Sequence, residues 1–223
     1  MAKFTVVGGD ASSDLAKRIA RKIKSPYIKT EKKVFPDGES KITINQIPKK
    51  SIVVVVQSTY PPVDSNLLEL LSIVSKVQKF SSKVYAVIPY MGYARQDREF
   101  LGGEIITIGV VGKLLKAAGV KKVLTVDIHS KLALKELKIS SENVSAMEVL
   151  VKHFKKMKMK NPVVVSPDMG GKERAEKFSK LLKTDFIALK KQRNRKTGKV
   201  KILSEKVDVK DRDLILVDDM IST

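Results

Sequence analysis

The chain has 223 residues, enough for one large or two small domains, and its 43% hydrophobic content supports a sizeable buried core. It has no cysteine, which excludes disulfides and thiolate metal ligands; any metal must be held by oxygen or by its two histidines, so a hard cation such as Mg²⁺ is expected. No apolar run approaches the ~20 residues that cross a bilayer, and the start Met1-Ala2-Lys3-Phe4 lacks a signal peptide's apolar stretch, so no membrane association and a cytoplasmic location are expected.

In chain order, residues 4–7 read as a first strand, and Ser12 or Ser13 caps a helix whose Leu15, Ile19 and Ile23 recur every four residues. Residues 52–57 are a second strand, followed by a helix lined by Leu67, Leu70, Leu71, Val74 and Val77. A strand at 84–88 precedes a helix at 105–118 that ends at Gly119, a natural C-cap, and a strand at 123–127 follows. The stretch 138–144 is polar and comes after a complete set of strands and helices, which places a domain boundary there and gives domains of 1–143 and 144–223. The second half starts again with a lysine-rich helix at 153–160, whose His153 is assigned to the surface, and with strands at 163–166, 186–189 and 214–217. Between the last two, residues 190–199 are polar without apolar periodicity and read as a mobile loop. Val- and Ile-rich runs alternating with amphipathic helices predict an α/β fold with parallel sheets.

Forty-four Lys and Arg against 24 Asp and Glu leave a formal net charge of +20, which suits nucleic acid or polyanionic small molecules. The lysines recur at helix-like spacing through 17–24, 152–160 and 172–183, the pattern of solvated helix faces.

In an open parallel sheet, ligands bind beyond the carboxyl ends of the strands. Arg95, Gln96, Asp97 and Arg98 follow the strand at 84–88, His129 follows 123–127, and Asp168 follows 163–166. Lys191 and Arg193 follow 186–189, and Asp218 with Asp219 follow 214–217. Carboxylates, one histidine and several cations delivered to strand ends describe a Mg²⁺–phosphate site. Neither a Walker A loop nor a GxGxxG fingerprint is present, so phosphate is held in another way.

The segment Leu214-Ile-Leu-Val-Asp-Asp-Met-Ile-Ser-Thr223 resembles the phosphoribosyl pyrophosphate signature of the type I phosphoribosyltransferase fold, and alone it also suits a salvage phosphoribosyltransferase. Val87-Ile-Pro-Tyr-Met-Gly-Tyr-Ala-Arg-Gln-Asp-Arg-Glu99 is similar to the ATP-binding stretch of the ribose-phosphate pyrophosphokinase family. By that resemblance Arg95 and Gln96 contact ATP, with Asp97 and Arg98 close by. Phe35-Pro-Asp-Gly-Glu-Ser40 looks like the family's adenine-side loop, giving Phe35, Asp37, Gly38 and Glu39 a place in the ATP site of a neighbouring subunit. Val126-Asp-Ile-His-Ser130 sets His129 beside Mg²⁺–ATP, and Ser166-Pro-Asp-Met-Gly-Gly171 resembles the turn whose acid, here Asp168, helps hold a ribose-side Mg²⁺. Lys191-Gln-Arg193 matches the family's catalytic Lys-x-Arg pair.

The resemblance implies two similar type I phosphoribosyltransferase-like α/β domains, with ATP and ribose 5-phosphate as substrates and Mg²⁺ as cofactor. Asp218 and Asp219 would grip ribose hydroxyls, while Ser222, Thr223 and Arg193 serve the sugar phosphate. It also implies a homo-oligomer with the ATP site shared between subunits. The chain ends at Thr223, before the glycines of the family's phosphate loop, so the second domain reads as incomplete. A DNA-reading module would have to precede the first strand, and none does, so no nucleic-acid partner is expected.

Overall fold

The computed structural model describes residues 4–45, 51–81, 83–193, 200–202 and 209–220, with 191–193 and 200–202 as backbone. Contacts divide the chain into unit 1, Met1–Val144, and unit 2, Ser145–Thr223.

In unit 1, β1 (Phe4–Gly8) leads through α1 (Ser13–Lys22) to β2 (Tyr27–Lys29), and β3 (Glu31–Val34) pairs antiparallel with β4 (Ser40–Thr43) as a hairpin. There follow β5 (Ile52–Val56), α2 (Val63–Val77), β6 (Lys83–Ile88), α3 (Thr107–Ala118), β7 (Val120–Val126), α4 (Lys131–Glu136) and β8 (Ser140–Val144). The main sheet is wholly parallel, in the order β2-β1-β5-β6-β7-β8. Successive side chains of a strand point to opposite faces, so both faces of β1 need cover. Val7 packs with Leu70, Ile73 and Leu115 from α2 and α3, and Val6 packs with Ala16 and Ala20 of α1.

Unit 2 contains α5 (Met147–Phe154), β9 (Val163–Ser166), α6 (Lys172–Leu182), β10 (Asp185–Ala188), β11 (Lys191–Arg193), β12 (Val200–Ile202) and β13 (Leu214–Leu216). Its sheet is parallel, in the order β10-β9-β13, and β11 pairs antiparallel with β12. Val164, Phe178 and Ile215 centre its core, where the Phe154 and Phe178 rings meet edge to face, 5.7 Å between centroids.

The α/β class with parallel sheets is as the sequence predicts, and α3 ends at Gly119 in the left-handed conformation. Other details differ. The buried face of α1 is Ala16 and Ala20, one position round from the predicted stripe, and Leu15 and Ile23 are exposed; the short side chains let the helix lie close on the sheet. Ser12 occupies the N-cap position of α1, but its hydroxyl accepts the N–H of Ser58 at 2.8 Å and so ties the α1 start to the end of β5. The polar stretch 138–144 contains β8, an edge strand bound to β7 by its backbone and by Lys122 and Glu142, 2.6 Å apart. The lysine-rich helix ends at Phe154 instead of running from 153 to 160, with His153 exposed on its last turn. Part of the predicted loop at 190–199 is β11, since a hairpin needs only backbone partners and no apolar alternation; residues 194–199 lie outside the described residues.

Candidate active site

Two groups of predicted residues stand at strand ends, one in each unit. In unit 1 the chain leaves β6 through Pro89 and Tyr90 into a tight turn, where Tyr93 takes a positive φ of 63° and accepts the N–H of Gln96 at 2.9 Å. Asp97 anchors this turn. It is 3% exposed, and both carboxylate oxygens are engaged by Arg98, at 3.0 and 3.1 Å, while the Ser130 hydroxyl donates to Oδ2. The bond from Arg98 outweighs the effect of burial and holds the Asp97 carboxyl below the usual carboxylate range. Ser130 also caps α4 by accepting the N–H of Ala133 at 3.1 Å, so the turn after β6 and the helix start after β7 share one polar joint.

With Asp97 turned inward, Arg95 and Gln96 face solvent. Gln96 accepts the Thr107 hydroxyl at the start of α3, and Arg98 lies over the Phe100 ring, 5.6 Å from its centroid. These groups with Val63 and Tyr93 line a cleft of about 830 Å³, a volume suited to a nucleotide-sized ligand. Tyr93 donates to Asp64 across the cleft wall, and that bond raises its hydroxyl above the usual tyrosine range. His129 is exposed on the loop after β7, between Ile128, whose N–H goes to the Asn143 side chain at 2.8 Å, and Ser130.

Residues Phe35, Asp37, Gly38 and Glu39 form the tip of the β3–β4 hairpin. The tip is closed by Phe35 N–H to the Glu39 carbonyl at 2.8 Å, by Gly38 N–H to the Phe35 carbonyl at 2.9 Å, and by Glu39 N–H to the Asp37 side chain at 3.0 Å. Gly38 takes φ 90° there, and the whole tip is exposed.

In unit 2 the acids gather where β9 and β13 end. Asp168 accepts the N–H of Gly171 at 3.0 Å, and Ser166 donates to the Asp168 carbonyl at 2.7 Å, so the turn into α6 is built around this carboxylate. A Cβ on Gly171 would stand 3.6 Å from Asp218 Oδ1 and 3.9 Å from Asp168 Oδ1, so both carboxylates look onto the same backbone. Asp219 N–H donates to Asp218 at 2.8 Å. Burial, then the hydrogen bond and charge of Asp219 and the charge of Asp168, push the Asp218 carboxyl above the usual range. Among the described residues no group of three or more His, Asp or Glu side chains forms a metal cage. Lys191 and Arg193 are placed on β11 by their backbone, and Ser222 and Thr223 lie outside the described residues.

The family model for the N-terminal domain of ribose phosphate pyrophosphokinase matches residues 4–119, and the phosphoribosyl transferase domain model matches 137–223. The chain belongs to the ribose-phosphate pyrophosphokinase family. It is 36% identical over 224 residues to the ribose-phosphate pyrophosphokinase of Sulfurisphaera tokodaii, a match that spans 98% of this chain and 75% of that protein. To the Haemophilus influenzae protein of the same name it is 38% identical over 226 residues, spanning 100% of this chain and 72% of the relative. The crystal structure of phosphoribosylpyrophosphate synthetase from Mycobacterium smegmatis superposes with a TM-score of 0.80 at 27% identity, covering 98% of this chain and 72% of that one.

The sequence reading missed Arg174. It reaches back from the first turns of α6 to Asp219 at 2.8 Å and to Asp218 at 3.6 Å, compensating the acid pair without any ligand. In sequence it is one of many cations on a lysine-rich helix; its position three residues after Gly170-Gly171 is the one signal that separates it. Ser130 and Asn143, which frame the loop holding His129, were also unread. No described helix is long and apolar enough to cross a membrane.

Proposed function

We propose that the chain carries out the reaction its family is named for. The β,γ-diphosphoryl group of ATP passes to the anomeric hydroxyl of ribose 5-phosphate, giving phosphoribosyl pyrophosphate and AMP. The anomeric hydroxyl releases its proton to solvent and its oxygen bonds to the β-phosphorus as the bond to the α,β-bridging oxygen breaks, and that electron pair leaves with AMP. Such a transfer asks the protein mainly for positioning and charge compensation. The observation that carries the reading is the turn after β6. Asp97 is buried and paired inward, which leaves Arg95 and Gln96 to face the cleft.

In this reading Arg95 neutralises ATP phosphates and Gln96 orients the nucleotide. Asp97 and Arg98 contribute by holding the turn. Phe35, Asp37, Gly38 and Glu39 serve the adenine side of a neighbouring subunit's site, so the active form is a homo-oligomer. Asp218 and Asp219 bind ribose hydroxyls, Ser222, Thr223 and Arg193 bind the sugar phosphate, and Lys191 with Arg193 compensates charge on the transferring group.

The acids of unit 2 suit Mg²⁺. It keeps several waters and takes one or two carboxylates plus substrate phosphates, and Asp168 and Asp218 converge on one stretch of backbone without a protein cage. Such ions would supply charge neutralisation to phosphate oxygens; Asp168 would hold one on the ribose side, and His129 would stand by a separate one on the ATP side.

The test is to incubate the protein with ATP and Mg²⁺, with and without ribose 5-phosphate. The expected outcome is AMP formed in step with phosphoribosyl pyrophosphate and dependent on the sugar. Equal AMP release without ribose 5-phosphate would contradict the assignment.

A further inference from the structure

The run β1, α1, β2, β3–β4 hairpin, β5 in unit 1 repeats in unit 2 as β9, α6, β10, β11–β12 hairpin, β13, with strand orders β2-β1-β5 and β10-β9-β13. Val6 and Val164 each pack under the helix that follows their strand, and aligning them extends the correspondence residue by residue. Val6 pairs with Tyr27 and Val54, and Val164 pairs with Phe186 and Ile215. Continuing along the chain from these pairs, Asp10 stands where Asp168 stands, Gln57 and Ser58 where Asp218 and Asp219 stand, and Lys32 where Lys191 stands. Unit 1 therefore holds a second copy of the frame that in unit 2 carries the proposed ribose 5-phosphate residues.

The mouth of that copy is a cleft of about 610 Å³ lined by Asp10, Ser12, Ser13 and Ser58, and its floor is braced from within. Glu69 projects from α2 and is 2% exposed. Its Oε1 accepts the N–H of Asp10 at 2.7 Å, and its Oε2 lies 3.1 Å from Lys32 Nζ, which also donates to Ser65 Oγ at 3.1 Å. Gln57 is wholly buried against the same place. A Cβ on Gly9 would stand 2.3 Å from Gln57 Oε1 and 3.1 Å from Glu69 Oε1, so this contact has room only for glycine. A carboxylate at position 57, like Asp218 in unit 2, would meet Glu69 with like charge, whereas the neutral amide leaves Glu69 as the buried anion. Lys32 lies on β3, so the ion pair also ties the hairpin that carries Phe35–Ser40 to α2 and to the β1 loop.

We propose that Glu69 is a positioning residue for nucleotide binding: its carboxylate holds the floor of the unit 1 frame through the Asp10 N–H and, through Lys32, clamps the hairpin whose tip serves ATP. This rests on the reading of Phe35–Ser40 as an adenine-side loop. A clamp acts by raising the fraction of hairpin held in its binding position, so its loss weakens apparent affinity by the inverse of that fraction and leaves the chemical step alone.

The experiment compares wild type, Glu69→Gln and the conservative Lys32→Arg by hydrogen exchange and by calorimetry with Mg²⁺–ATP. For Glu69→Gln the expected result is faster exchange across residues 31–43 with β7 unchanged, Mg²⁺–ATP affinity about 10-fold weaker, and kcat within about 2-fold of wild type. Lys32→Arg keeps the charge pair and should stay close to wild type in all three. Where Glu69→Gln does not fold, the double variant Lys32→Met with Glu69→Met removes the pair without leaving a lone buried charge, and must show the same loosened hairpin and weaker binding. Unchanged exchange across 31–43 overturns the clamp itself. Faster exchange with unchanged Mg²⁺–ATP affinity overturns the positioning role, and traces the failure to the adenine-side reading of the tip.

Discussion

At the carboxyl end of β1, unit 1 presents Gly8-Gly9-Asp10, and beside it at the end of β5 are Gln57 and Ser58, both buried. At the matching places unit 2 presents Ser166-Pro167-Asp168 and the pair Asp218-Asp219, of which the Asp218 side chain remains partly open to solvent while that of Asp219 is turned against Arg174. Strand order and hairpin insertion are the same, so the frame does not decide what is bound. In unit 1 Asp10 stands at the exposed edge of the frame, and the buried anion beneath it is Glu69, supplied by α2. In unit 2 acids line the frame and Arg174 compensates them, an arrangement that suits sugar hydroxyls and a hard cation. The residues proposed to bind nucleotide in unit 1 lie elsewhere in the unit, on the turn after β6 and on the hairpin tip. On that proposal a repeated fold hosts two kinds of site because a few strand-end residues differ.

The largest test of this contrast uses the two lysines at equivalent register. Lys191→Ala is expected to lower kcat by ~10²–10³ with Mg²⁺–ATP affinity little changed, because its charge matters most as the transition state forms. Lys32→Ala should instead act on affinity, the charge of Lys32 being committed to Glu69. Steady-state kinetics alongside calorimetry separate the two, and equal losses of kcat would break the comparison.

A smaller effect is expected at Asp218, whose raised pKa has a definite sign. Its ionisation is disfavoured in the folded unit, so its contribution to stability declines as pH rises from the ordinary carboxylate range through the raised value, and returns on acidification. Ligand binding that needs the carboxylate runs the other way, weakening as pH falls through the same window. Asp218→Asn should flatten both profiles and weaken ribose 5-phosphate binding about 10- to 100-fold, the cost of one or more charge-assisted hydrogen bonds. Calorimetric titrations across pH check it, and a variant that keeps the wild-type pH profile would place the titration elsewhere.

Much of this arrangement was legible in the sequence. The Val-rich runs gave the parallel strands because both faces of such strands are buried, and polar residues directly after them marked the strand ends. What was not legible is held by backbone pairing or by distant polar partners. β8, β3, β4 and β11 carry no apolar alternation and β12 is only three residues long, so periodicity passes over them. Lys32 and Glu69 are 37 positions apart and meet only through the packing of the hairpin on α2. Leu15 and Ile23 misled for the opposite reason: they satisfy a helical period, yet α1 buries its alanines.

The central claim is that unit 1 braces its copy of the frame with its own Glu69 and binds nucleotide elsewhere, while unit 2 uses its copy for the sugar phosphate. The most direct measurement is hydrogen exchange followed separately with Mg²⁺–ATP and with ribose 5-phosphate. The account predicts that Mg²⁺–ATP protects residues 93–98 and 35–39, that ribose 5-phosphate protects 168–171 and 217–219, and that 9–13 and 57–59 change with neither. Protection of 9–13 and 57–59 by ribose 5-phosphate would contradict it.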